Sequence, residues 1–92
     1  MPMNDFIEMV CDFLAAGRAY SGATFSYAGE RTWWLKEREN GCKAMNEKNK
    51  KMLDIIFVEL EIAENPALAR LTNTPEYLIK HGFLQEVWRA NS

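Results

Sequence analysis

The segment KAMNEKNKKMLDIIFVELEIAE, residues 43–64, decides between two folds. Met45, Met52, Leu53, Ile56, Leu60 and Ala63 fall on one face at three- and four-residue spacing, as in an amphipathic helix. Read in twos, Ile56, Val58, Leu60 and Ile62 alternate with Phe57, Glu59 and Glu61, as in a half-buried strand rich in β-branched side chains. Length favours the helix, because the segment runs without Gly or Pro until it stops at Asn65 and Pro66. The lysines before Met52 then form its solvated first half.

Outward from this segment the same contest recurs once. Glu30 to Glu39 is rich in Leu, Lys, Glu and Arg, strong helix formers, and Asn40 with Gly41 as the C′ residue supplies a stop. Against that, Phe25 and Tyr27 alternate with small polar residues, which allows a hairpin turning at Ala28, Gly29 and Glu30. At the N-terminal end, Asn4 or Asp5 can cap a helix carrying Phe6, Ile7, Val10, Phe13 and Leu14 as far as Gly17. At the C-terminal end, Thr74, Pro75 and Glu76 form a start signal, and Lys80, His81 and Gly82 form a stop. Phe83, Leu84, Val87 and Trp88 add a final amphipathic turn or two. The fold class that follows is mainly α, a compact bundle of four to five helices in a single domain over residues 1–92. The alternative is α+β, with a small hairpin around residues 24–36 and a strand at 55–62.

Composition sets the functional bounds. Ninety-two residues, 48 % hydrophobic and 26 % charged, describe one small soluble domain with a modest core. A pocket of about 300 Å³ or more would take a large share of that interior, which favours a surface that binds over a cavity that transforms. The acidic N-terminal stretch, with Asp5, Glu8 and Asp12 ahead of Arg18, lacks the basic start of a secretory signal. The longest apolar run, Ile55 to Val58, is far below the ~18 residues of a membrane span. A cytoplasmic protein with no membrane association is expected, and the two cysteines, Cys11 and Cys42, do not make a disulfide framework.

Signals for chemistry are sparse. His81 is the only histidine, so any Cys-His dyad or zinc site would have to bring it to Cys11 or Cys42 from distant elements. The paired acids Glu37/Glu39 and Glu59/Glu61 lack a histidine or third acid at ligand spacing, and no glycine-rich phosphate loop is present. Neither enzyme activity nor a cofactor or metal is expected.

The formal charge of −2 is uneven: −2 over residues 1–29, +3 over 30–51, −4 over 52–76 and +1 over the remainder. The basic stretch carries the adjacent indoles Trp33 and Trp34, and on a helix these point about 100° apart, so one of them is expected at the surface. Exposed tryptophan beside arginine has the composition of an interface hot spot. The expected partner surface is therefore Arg31, Trp33, Trp34, Lys36, Arg38, Lys43, Lys48, Lys50 and Lys51. The expected function is non-catalytic binding of a partner protein or complex as a regulator, adaptor or inhibitor, a size class that includes phage and mobile-element inhibitors of host enzymes. The alternative is nucleic-acid binding, through segment 31–51 or through a degenerate helix-turn-helix at 65–82. Thr72 and Gly82 stand where that motif packs apolar side chains, which weakens the second route.

Overall fold

The computed structural model describes residues 2–41, 45–65, 67 and 73–91. The deciding segment is helical. It begins later than residue 43, at Glu47, because Asn46 is its N-cap and its side chain accepts from the Asn49 N–H at 2.8 Å. The helices are α1 (Met3–Ser21), α2 (Tyr27–Asn40), α3 (Glu47–Glu64), α4 (Pro75–Lys80) and α5 (Phe83–Asn91), with a single 3-10 turn at Gly22–Thr24. No strand occurs among the described residues, so the hairpin at 24–36 and the strand at 55–62 are both replaced by helix. A radius of gyration of 12.8 Å matches the roughly 12 Å of a compact folded chain of this length.

α3 is the central helix. Met52, Leu53, Ile56, Phe57 and Leu60 are fully buried, so the three-and-four spacing wins over the alternation. Phe6, Val10 and Leu14 of α1, Tyr27 and Trp34 of α2, and Leu84 and Val87 of α5 complete one core cluster around them. α2 runs against α3 along most of its length, whereas α1 packs its backbone on α5 and reaches α2 through side chains, notably Phe13 against Trp33 and Trp34. A gap is thereby left between α1 and α2.

Other helix ends also differ from expectation. α1 starts at Met3 after Pro2, ahead of the expected Asn4 or Asp5 cap, and it passes through Gly17 to end where Gly22 turns left-handed at φ 58°. α2 starts at Tyr27 rather than Glu30, since the Ser26 hydroxyl caps it by accepting from the Gly29 N–H at 3.0 Å. Gly41 closes α2 with φ −99°, so it does not adopt the left-handed geometry typical of a C′ glycine. α4 follows its signals: Thr74 accepts from the Tyr77 N–H, Pro75 opens the helix, and Gly82 at φ 89° turns the chain into α5.

Candidate functional site

Of the expected partner surface, the structure keeps only part together. Trp34 is a core residue, 0 % exposed, stacked on Phe57 at 5.9 Å between ring centroids. Its indole N–H donates to Asp54 Oδ1 at 2.8 Å, and Arg38 Nε lies 3.1 Å from the same oxygen, an ion pair held by charge without a linear hydrogen bond. Arg31 donates to Glu61 at 3.0 Å, and Lys50 is buried along α3 with its ammonium 3.6 Å from Glu47. Lys36, Lys48 and Lys51 are exposed, and Lys43 lies outside the described residues. Trp33 alone of the indole pair is at the surface, 36 % exposed. Glu61 and Asp54 of the next segment thus pair with Arg31 and Arg38 of the basic stretch, and Trp34 leaves the candidate surface for the core.

Trp33 instead borders a groove that the sequence does not announce. It lies between α1 and α2, encloses about 600 Å³, and is lined by Phe13, Gly17 and Tyr20 on one side and by Ser26, Glu30 and Trp33 on the other. Phe13 and Trp33 meet edge to face with centroids 5.2 Å apart, and Tyr20 stands at the mouth, 95 % exposed. Among the described residues Glu30 is the single charged one of the lining and is itself only 6 % exposed. Its Oε2 is buried with no hydrogen-bond partner among the described residues. Burial holds its carboxyl above the usual carboxylate range.

The seat of that carboxylate depends on Gly17. A Cβ at position 17 would overlap the Glu30 carboxyl group, so only glycine lets the acid tuck against α1. Glycine inside a helix costs about 1 kcal/mol relative to alanine, which makes this approach a substantial local concession. Arg18, the next residue, could have neutralised Glu30 but is turned elsewhere: it donates to the Tyr27 hydroxyl, lies 3.7 Å from Glu76, and sits over the Phe25 ring at 5.1 Å. The Arg18–Tyr27–Glu76 cluster joins α1, α2 and α4.

The other candidate chemistry does not assemble. His81 is exposed and lies against Tyr77, the rings tilted by 33° with centroids 4.0 Å apart. Cys11 is an exposed free thiol held above its ordinary pKa by partial burial and by Asp12; Cys42 lies outside the described residues. Among the described residues no group of three His, Cys, Asp or Glu side chains could hold a metal ion, and no helix is long and apolar enough to cross a membrane. Six of the eighteen residues of the helix-turn-helix segment, Pro66 and residues 68–72, also lie outside the described residues. What the described part of it contributes is the six-residue α4.

Comparison with protein-family models, curated proteins and solved structures returns no match, so the reading of the site rests on the chemistry of its residues.

Proposed function

We propose that this chain is a non-catalytic protein-binding module, a cytoplasmic regulator, adaptor or inhibitor that engages a partner protein through the α1–α2 groove and Trp33. The observation that carries the reading is the pairing of an indole held at the surface with an apolar-walled groove of about 600 Å³ beside it. Trp33 and Tyr20 offer large, stiff, amphipathic contact area at a low entropic cost, the combination that dominates binding energy at interfaces. The pairing of Arg31, Arg38 and Lys50 with acids of the same chain favours this reading over nucleic-acid binding, which needs those charges for phosphates.

The test is capture from native cells with the wild-type chain, with Trp33→Ala, and with a photo-crosslinking residue at position 20. The expected result is a protein retained by the wild type, lost with the folded Trp33→Ala variant, and crosslinked from position 20. Identical retention by both chains contradicts the reading. Salt-sensitive retention on oligonucleotides that disappears when Lys48 and Lys51 are changed to Glu would replace it with the nucleic-acid one.

A further inference from the structure

Glu30 sits where the fold would be served better by an apolar residue. It belongs to the line Tyr27, Glu30, Trp34 that α2 turns inward, and it is the one carboxylate on that line. An ionised group taken out of water needs a countercharge or several donors, and Oε2 has no donor among the described residues. Gly17 shapes the seat, Arg18 is directed to Tyr27 and Glu76, and among the described residues no cation lines the groove. The acid therefore faces a space walled by Phe13, Tyr20 and Trp33, with no countercharge among the described residues to match it.

We infer that the α1–α2 groove receives an arginine side chain of the partner protein, its guanidinium on the Glu30 carboxylate and flanked by Trp33 and Tyr20. The inference rests on the reading of this face as the partner-binding face. A planar guanidinium can give one carboxylate two parallel N–H···O bonds and can also lie against aromatic rings. An ammonium is more strongly hydrated and gives up more on entering an apolar groove. Charge along α1 points the same way, since this helix carries Asp5, Glu8 and Asp12 before its one base, Arg18. A basic segment approaching α1 is thus attracted before it docks.

The test uses the full chain and three blocked pentapeptides, alanine throughout except for a central arginine, lysine or citrulline, with binding read by chemical-shift titration of the backbone and indole N–H signals. The arginine peptide is expected to perturb the signals of Gly17, Glu30 and Trp33. Citrulline keeps the shape and loses the charge, so its affinity should fall on the order of tenfold or more, with lysine between the two. Glu30→Gln should lower affinity for the arginine peptide by a similar factor and remove the preference over citrulline. The citrulline comparison on the native chain stands whether or not a variant folds. Equal binding of arginine and citrulline peptides, or no response to the arginine peptide at about 10 mM, overturns the inference. If partner capture needs Trp33 but is unchanged by Glu30→Gln, the binding face stands and the arginine site falls. If the arginine peptide binds through Glu30 while capture ignores Trp33, the binding face itself falls.

Discussion

The two sides of α2 are built on opposite terms. Toward α3 the helix is closed by matched groups: Trp34 and Arg38 share Asp54, Arg31 meets Glu61, and the Tyr27 and Ala28 N–H groups donate to the Glu64 carboxylate at 2.8 and 3.3 Å. That last contact places an acid on the positive end of α2, which stabilises the helix start as well as the seam. Toward α1 the same helix presents Trp33 at the surface and Glu30 buried, its Oε2 without a hydrogen-bond partner among the described residues, across a groove instead of a packed interface. Matched polar groups around a stacked indole make a structural seam. An unmatched acid among aromatic rings makes a face that gains from a ligand, because a ligand can supply what the chain withholds.

The contrast predicts a graded set of effects. Trp34→Ala removes a fully buried indole and takes its N–H donor from Asp54, so stability should fall by about 3–5 kcal/mol in denaturant unfolding, a large fraction of the whole for a domain of this size. Trp33→Ala, on the open side, should lose only about 1–2 kcal/mol and remain folded. A loss equal to that of Trp34→Ala would erase the distinction between the two sides.

Glu30→Gln should raise stability by about 1 kcal/mol at pH 7, or roughly 4–8 °C in Tm, since it removes a charge that the fold leaves unpaired. The pH dependence fixes the sign. Burial raises the Glu30 pKa in the folded chain, so the folded state holds that proton more tightly than the unfolded one. The resulting stabilisation is complete below the ordinary value of 4.5 and is lost as pH rises through the raised value. The advantage of Glu30→Gln should therefore shrink as pH falls and vanish below about pH 4.5. An advantage independent of pH would show that the carboxylate charge is not its cause. The smallest effect belongs to Arg31→Ala, which breaks a half-exposed ion pair with Glu61 and should lose about 0.2–1 kcal/mol, diminishing with added salt.

The all-helical fold was legible where long runs and caps agreed. Residues 47–64 have no breaker, and Thr74-Pro75-Glu76 with Gly82 marks both ends of α4. The groove was not, and the reason is one helix start. Ser26 caps α2 from within a stretch of Gly, Ser and Thr that reads as a turn, so the predicted helix began at Glu30. An acid in a first turn is unremarkable next to the helix dipole. With the start moved to Tyr27, positions 27, 30 and 34 align on one face and Glu30 stands out as the charged member. Sequence geometry also required the two indoles to diverge, but which one turned inward depended on that same phase. The basic stretch misled for another reason: a local tally of +3 does not see that Glu61 and Asp54 fold back onto Arg31 and Arg38. The width of the α1–α2 gap depends on α1 packing against α5, a tertiary choice with no local signature.

The central claim is that Glu30 gives up stability in the free chain in return for binding a guanidinium. Thermal unfolding of the wild type and Glu30→Gln at pH 7, each with and without the arginine peptide, tests both halves together. The variant is expected to melt higher without peptide, and the peptide to raise the Tm of the wild type alone. A variant that melts lower, or a peptide that raises both chains equally, would contradict the claim.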